Sequence, residues 1–196
     1  MTTSLTLPNV AILGRLRSGK DTVGYYLAEK YGYTQFAFAD EMKADFHRRY
    51  PEVSPNPKPR ACYQFHGELM RQISGENVWV DRCFTEINAV GAVERWDAQP
   101  FRAVITDVKM PHEADALNRE GYVLIRIDAP DGLRIERAVN SGDTFEYADL
   151  FHGTETALDG YPADFTVTND AGLPELYAQI DEIMAYLALK SGGEVA

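Results

Sequence analysis

The residues best suited to chemistry in this chain form one short run, Gly14-Arg15-Leu16-Arg17-Ser18-Gly19-Lys20-Asp21-Thr22. Its glycines and lysine have the spacing of a Walker A loop, and it lies between an apolar strand-like run and a helix-like segment, as that motif requires. Glycines let the backbone turn tightly and aim N–H groups at phosphate oxygens, and the positive end of the following helix adds to that field. The run therefore predicts a site for the phosphates of ATP, formed by Gly14, Arg17, Ser18, Gly19, Lys20, Asp21 and Thr22.

Lys20 is the expected bridge between the β- and γ-phosphates, where its charge would offset the charge that develops during phosphoryl transfer. The motif usually continues with Ser or Thr, whose hydroxyl meets Mg²⁺, but this chain has Asp21 and then Thr22. A carboxylate also binds Mg²⁺, directly or through water, so either residue is a candidate metal ligand. The alternative interpretation is a glycine-rich turn that binds nothing.

Two aspartates follow other strand-like runs. In open α/β sheets, ligands bind at the carboxyl ends of the strands. Asp107 is therefore predicted to hold Mg²⁺ through water or to contact the phosphoryl acceptor, with a helix cap as the alternative. Asp40 is predicted to contact the acceptor sugar or base, or to be a helix N-cap.

Several basic residues are candidates for phosphate binding. Arg71 and Lys43 suit the acceptor phosphate through charge-assisted hydrogen bonds, with a solvated helix face as the alternative. Arg134 and Arg137 are three positions apart and share one helix face, from which they could close over the transferring phosphates; pairing with a neighbouring glutamate is the alternative. Trp79 is predicted either to stack on a base or to belong to the core.

Strand-like and helix-like segments alternate along the chain, which predicts an α/β fold with a parallel sheet covered on both faces. The predicted strands are 9–13, 34–39, 101–106, 122–127 and 165–168. The predicted helices are 20–31, 40–50, 62–74, 78–93, 112–120, 133–139 and 174–189. Four prolines between positions 51 and 59 predict an exposed loop.

Composition narrows the function classes. The length of 196 residues suits one domain, and the formal net charge of -11 argues against a nucleic-acid coat or a polybasic membrane contact. No apolar run approaches the roughly 18 residues of a membrane span, and no export signal is recognised, so a cytoplasmic protein is expected. Cys62 and Cys83 fit neither a metal-binding spacing nor a disulfide framework.

The loop with its Gly-Lys-Asp-Thr ending, followed by Phe38-Ala39-Asp40 and Lys43, resembles the bacteriophage-type deoxynucleoside monophosphate kinases. Later segments continue the resemblance in order as far as Asp170. These segments are Gln64-Phe65-His66-Gly67-Glu68-Leu69-Met70-Arg71 with Trp79, Val104-Ile105-Thr106-Asp107-Val108-Lys109-Met110-Pro111 with Glu113, and His152-Gly153-Thr154-Glu155 with Thr168-Asn169-Asp170.

The resemblance implies a P-loop kinase fold in a single domain over 1–196, with a five-stranded parallel sheet, a helical substrate-binding insertion at about 40–100 and a lid at about 133–161. It implies ATP and Mg²⁺ as cofactors and a nucleoside monophosphate as substrate. It also implies that Gln64, Trp79 and Lys109 contact the acceptor and that Asn169 contacts the nucleotide. The family usually has arginine in place of Lys109, and lysine keeps the charge but lacks the planar fork for bidentate phosphate contacts.

The expected reaction is transfer of the γ-phosphoryl group of ATP to a (deoxy)nucleoside 5′-monophosphate by direct in-line attack. One alternative is another P-loop small-molecule kinase, similar to the dephospho-coenzyme A or phosphomevalonate kinases. A second alternative is a nucleotide-binding regulatory protein that has no acceptor site. A kinase acting on bases within DNA is disfavoured by the net charge. The acceptor base, the sugar and the oligomeric state stay open, including a homodimer through the lid or the proline loop.

Overall fold

The computed structural model describes residues 7–96, 100–141 and 156–192. Five strands form one parallel sheet in the order β2-β3-β1-β4-β5, which confirms the predicted fold class. The strands are β1 (Val10–Leu13), β2 (Thr34–Phe36), β3 (Ala103–Ile105), β4 (Val123–Asp128) and β5 (Phe165–Thr168). β1 lies in the centre with every residue buried, as a continuous apolar run predicts for a parallel strand.

Helices cover both faces of the sheet. They are α1 (Lys20–Tyr31), α2 (Phe38–Arg49), α3 (Arg60–Ser74), α4 (Val78–Trp96), α5 (Pro111–Arg119), α6 (Asp131–Asn140) and α7 (Leu173–Gly192). Ile12 of β1 packs into the core shared with α1 and α7, whereas Leu13 packs into the opposite core with α4 and α5. The two-residue alternation of a strand thus places β1 between two apolar layers, with the loop that follows it at the edge of the sheet.

The second strand is shorter than the sequence predicts. A strand over 34–39 followed by a helix from Asp40 is wrong, because β2 ends at Phe36 and α2 begins at Phe38. The N–H groups of Phe38 and Ala39 donate to the carboxylate of Asp107 and not to a neighbouring strand. Asp40 consequently lies in the first turn of α2, and the N-cap position belongs to Ala37.

The predicted loop at the prolines is confirmed, since residues 50–59 contain no helix or strand and are mostly exposed. The helical layer formed by α2, α3 and α4 occupies the predicted insertion after β2. The lid predicted at 133–161 stays a prediction, because residues 142–155, which include the segment His152-Gly153-Thr154-Glu155, lie outside the described residues. Among the helices described, none is both long and apolar enough to cross a membrane.

Candidate functional site

The loop between β1 and α1 has the backbone shape that its glycines predict. Gly14 and Gly19 have φ values of 145° and 108°, and Arg17 also has a positive φ of 63°. A Cβ on Gly14 would lie 2.5 Å from the carbonyl oxygen of Ile127, and one on Gly19 would lie 2.3 Å from Nδ2 of Asn169. Both glycines are therefore needed for conformation and for close approach to neighbouring strand ends.

Lys20 and Ser18 present polar groups inside this loop. Lys20 is 9% exposed, and its Nζ donates to the carbonyl oxygen of Arg15 at 2.9 Å, so the ammonium contacts the backbone of the loop. Ser18 is 1% exposed, and its hydroxyl oxygen has no hydrogen-bond partner within the described part of the chain. An unpartnered buried hydroxyl beside an ammonium and a helix N-terminus is a fit for phosphate oxygens.

Arg134 and Arg137 bind the backbone of the phosphate loop. Arg134 is 1% exposed, and its Nη1 donates to the carbonyl oxygen of Leu16 at 3.0 Å while its Nη2 pairs with Asp131 at 2.7 Å. Arg137 approaches the carbonyl oxygen of Arg17 at 3.4 Å. The two arginines share one face of α6 as predicted, and both contact carbonyl oxygens of the loop. Arg134 pairs with Asp131 and not with the neighbouring glutamate. A contact with transferring phosphates stays a prediction.

Asn169 joins the end of β5 to the same loop. Its Nδ2 donates to the carbonyl oxygen of Ser18 at 2.7 Å, and its Oδ1 accepts from Nη2 of Arg137 at 3.2 Å. The side chain is 6% exposed. Asn169 therefore holds the loop backbone and an arginine together, and its contact with the nucleotide stays a prediction.

Arg15, Asp131 and Asp159 form an ion-pair group that sequence reasoning missed. The guanidinium of Arg15 donates through Nε to Asp159 at 2.9 Å and through Nη2 to the other carboxylate oxygen, and its Nη1 lies 3.6 Å from Asp131. These contacts raise the pKa of Arg15 and lower the pKa of Asp159, while Arg134 lowers the pKa of Asp131. Only the three-residue spacing of Asp131 and Arg134 was visible in the sequence.

Of the three predicted metal residues, two lie at the start of α1 and the third follows β3. Asp21 is exposed and Thr22 half-buried in the first turn of α1, next to Lys20. Asp107 follows β3, the neighbour of β1, but both of its carboxylate oxygens accept from the N-terminus of α2 at 2.8 Å. Burial raises the pKa of Asp107 against these hydrogen bonds. A metal or acceptor contact by Asp107 would use its remaining lone pairs and stays a prediction.

A cleft of about 850 Å³ opens between the helical layer and the carboxyl edge of the sheet. Six predicted acceptor residues line it, namely Lys43, Gln64, Arg71, Trp79, Asp107 and Lys109. Asp40 is not part of the lining and pairs with Lys43 at 2.6 Å. Lys109 also lines a small cavity beside Gly14 and Arg15, so the cleft reaches the phosphate loop at this residue.

The cationic side of the cleft is formed by Lys43, Arg71 and Lys109. Arg71 is half-buried, and its Nη1 lies 3.8 Å from a carboxylate oxygen of Glu68, which is too long for a strong hydrogen bond. Glu113 lies on the same side and accepts from the N–H groups of Lys109 and Met110, which fixes the start of α5. Burial raises the pKa of Glu113. The arrangement suits an anionic group held mainly by Arg71 and Lys109.

Trp79 belongs to both the core and the cleft. It is 3% exposed, and its Nε1 donates to the carbonyl oxygen of Gly67 at 3.2 Å. Arg82 lies 5.1 Å from the ring, and His66 lies 5.8 Å from it. Both predicted roles of Trp79, stacking on a base and packing in the core, are compatible with this position, because the residue lines the cleft and belongs to the core.

A buried carboxylate, Asp45, connects the helices that pack against Trp79, and it is not among the residues predicted from the sequence. Asp45 is 1% exposed and accepts from Arg82 at 2.7 Å and from Arg49 at 2.8 Å, with Nε2 of His66 at 2.9 Å. Burial alone would raise the pKa of Asp45, but these partners outweigh burial and hold it well below its usual value. The four-residue spacing of Asp45 and Arg49 was the one available signal.

Solved kinase structures share this fold. A gluconokinase from Sinorhizobium meliloti 1021 superposes with a TM-score of 0.53 at 17% identity, covering 95% of this chain and 95% of that chain. A shikimate kinase from Acinetobacter baumannii in complex with shikimate gives 0.51 at 17% identity, covering 97% of each chain. A sugar kinase from Janibacter sp. HTCC2649 gives 0.52 at 18% identity, covering 94% of this chain and 98% of that chain.

These similarities show that this chain shares the fold of the three kinase structures over nearly the whole length of each chain. The sequence matches no protein-family profile and no curated protein.

Proposed function

We propose that this protein transfers the γ-phosphoryl group of ATP to a (deoxy)nucleoside 5′-monophosphate and releases the diphosphate. The observation that carries the proposal is the continuity between the phosphate loop and the acceptor cleft. Lys109 lines the cleft and also the cavity beside Gly14 and Arg15. A donor phosphate on the loop and an acceptor phosphate in the cleft would thus both face the same lysine, as direct transfer requires.

On the donor side, the phosphates of ATP would bind the N–H groups of the loop, the hydroxyl of Ser18 and the ammonium of Lys20. Asp21 and Thr22, in the first turn of α1, would hold Mg²⁺, which binds through one or two protein groups together with substrate phosphates. When bound, Mg²⁺ would neutralise charge on the phosphates. The described residues contain no group of three or more acidic, histidine or cysteine side chains for a separate metal site.

On the acceptor side, Arg71, Lys43 and Lys109 would neutralise a monophosphate, and the packed edge of Trp79 supplies an aromatic surface in the same cleft. An acceptor phosphate is already largely ionised at neutral pH, so its oxygen can attack without a strong general base. Positioning and charge neutralisation account for most of the catalysis of phosphoryl transfer. The side chains of this chain would therefore act by holding two anionic groups in line.

A second candidate is a kinase for a small hydroxylated acid or sugar. It is favoured by the shared fold with structures named gluconokinase, shikimate kinase and sugar kinase. The cations of the cleft would then bind a carboxylate in place of a phosphate. The apolar lining by Phe38, Met42 and Trp79 fits a nucleobase better than a ring covered with hydroxyl groups, because buried hydroxyls need polar partners.

The deciding experiment measures ADP production from Mg-ATP with separate acceptors. The panel contains dAMP, dGMP, dCMP, dTMP, AMP, GMP, CMP, UMP, gluconate, shikimate and dephospho-coenzyme A. Lys20→Ala tests the loop, and Lys190→Ala, which removes an exposed lysine at the end of α7, is its matched control. We expect turnover with at least one nucleoside monophosphate, abolished by Lys20→Ala and retained by Lys190→Ala.

Turnover with gluconate or shikimate alone would replace the proposal with the second candidate. ATP binding without turnover of any acceptor would instead support the nucleotide-binding regulatory protein. In that case Arg71→Ala would leave ATP binding intact. A nucleotide kinase, in contrast, would show a raised acceptor KM in Arg71→Ala.

A further inference from the structure

Gly67 lies on α3 and forms part of the wall of the acceptor cleft. A Cβ at this position would lie 3.6 Å from Cγ of Met42, 4.0 Å from Nη1 of Arg71 and 4.0 Å from Nε1 of Trp79. All three distances are ordinary van der Waals contacts, and the backbone of Gly67 is helical. Alanine would therefore fit at position 67 without displacing a neighbour. At Gly14 and Gly19, in contrast, a Cβ would clash with a neighbouring atom.

Folding therefore gives no reason for glycine at position 67. Glycine in the interior of a helix lowers stability relative to alanine, because it gains more conformational freedom in the unfolded chain and adds no side-chain contact. The position is buried and faces the cleft between an arginine and a tryptophan. A residue that weakens its helix and lines a binding cleft points to a role in ligand binding.

We propose that Gly67 determines acceptor specificity. Because Gly67 has no side chain, a flat ring of the acceptor lies directly against the backbone of α3, beside Trp79. This inference rests on the proposed function. The space next to Gly67 is bounded by Met42 and by the indole, while Arg71 lies one helical turn further along α3. An acceptor that combines a planar apolar ring with an anionic group matches these three neighbours.

The position of the indole supports this assignment. Nε1 of Trp79 donates to the carbonyl oxygen of Gly67 at 3.2 Å, so the ring edge is fixed against the one α3 residue without a side chain. Phe38 and Tyr63 add buried aromatic surface to the same cleft. A hydroxylated acid would meet few polar partners at this wall, whereas a nucleobase has an apolar face that packs against it.

The test compares Gly67→Ala with Gly132→Ala. Gly132 lies in α6, and a Cβ there meets nothing within 4 Å, so it reports the general effect of replacing a helical glycine. KM for the nucleoside monophosphate, KM for ATP, kcat and the midpoint of thermal unfolding are measured for both variants. A methyl group in a fitted site changes binding by about tenfold or more, so we expect that rise in acceptor KM for Gly67→Ala.

The same variant is expected to keep its ATP KM and to show an equal or higher unfolding midpoint, and Gly132→Ala is expected to keep its acceptor KM. An acceptor KM unaffected by Gly67→Ala would overturn the inference while leaving the proposed function in place. A lowered unfolding midpoint for Gly67→Ala would overturn it too, because glycine would then be required for folding. Absence of nucleoside monophosphate turnover in the wild-type protein would remove both.

Discussion

The carboxylate of Asp107 accepts a hydrogen bond from the backbone N–H of Phe38 at 2.8 Å, although the two residues lie 69 positions apart in the chain. Its second oxygen accepts from Ala39 at the same distance. The end of β3 thus holds the N-terminus of α2, and α2 forms one side of the cleft. The strand beside the phosphate loop and the helical layer are connected by one side chain.

Replacement of Asp107 by alanine is expected to lower the free energy of unfolding by about 1–3 kcal/mol, because two partly buried N–H groups lose their acceptor. Asp107→Asn keeps one acceptor oxygen and is expected to lose less. Urea unfolding at neutral pH measures both changes. The control Asp81→Asn, on the exposed face of α4, should stay within about 0.5 kcal/mol of the wild type. Equal stability of Asp107→Ala and wild type would show that the contact is dispensable.

Arg134→Lys is expected to raise KM for ATP by about tenfold. Lysine cannot bridge Asp131 and the carbonyl oxygen of Leu16 together, and loss of a hydrogen bond involving a charged group costs about 1.5–3 kcal/mol. The loop would then lose part of its support from α6, while the contact of Arg137 with Arg17 stays in place. Steady-state kinetics with varied ATP measures the effect, and Arg119→Lys on α5 provides a matched surface substitution.

Asp131→Asn separates a supporting role of Arg134 from a direct contact with phosphate. Asp131 is half-exposed and holds the guanidinium of Arg134. Its substitution should therefore raise KM for ATP, by a smaller factor than Arg134→Lys does. The double variant should fall short of the product of the two effects, because both residues act through one contact. Independent effects, with Arg134→Lys lowering kcat alone, would instead indicate a contact with the transferring group.

Much of the fold and of the phosphate loop is predictable from the sequence because the signals are local. β1 is a continuous apolar run, and Gly14, Gly19 and Lys20 have a fixed spacing within nine residues. The parallel sheet follows from the alternation of strands and helices. The start of α2 was predicted two residues late, because its first N–H groups are held by Asp107 and the local sequence alternates like a strand.

The contacts between distant segments were not predictable in the same way. Arg134 is predicted as a basic residue of the site from its type and spacing, but its burial against Leu16 depends on how α6 packs on the loop. The partners of Asp45 come from three helices, and no spacing in the sequence brings Arg82 to it. For side chains that contact distant segments, the sequence shows the residue type, whereas tertiary packing determines the partners.

Asn169→Ala is expected to raise KM for ATP several-fold and to lower the free energy of unfolding by about 1 kcal/mol, the usual net value of an intramolecular hydrogen bond. The substitution removes the donor to the carbonyl oxygen of Ser18 and the acceptor for Arg137. Asn88→Ala, which removes an exposed amide on α4, is the control. Unchanged ATP KM in Asn169→Ala would mean that the loop keeps its shape without this support.

Asp45→Asn is expected to destabilise the protein by about 2 kcal/mol at pH 7. The value is below that for removing one partner of a fully buried ion pair, because Arg82 and Arg49 are partly exposed and stay hydrated. The acceptor KM is expected to rise as well, since His66 and Arg82 contact the ring of Trp79. Asp81→Asn, which removes an exposed carboxylate from the same helical layer, should change neither quantity appreciably.

The difference in the free energy of unfolding between wild type and Asp45→Asn is expected to decrease as the pH falls. The pKa of Asp45 in the folded protein is held below its ordinary value, so the unfolded chain binds more protons as the pH falls. The stability contributed by this carboxylate is therefore present above the unfolded pKa and is lost as the pH falls below about 4. Urea unfolding from pH 7 to pH 3 should show the gap between wild type and Asp45→Asn narrowing over that range. A gap that stays constant down to pH 3 would show that the charge of Asp45 does not stabilise the fold.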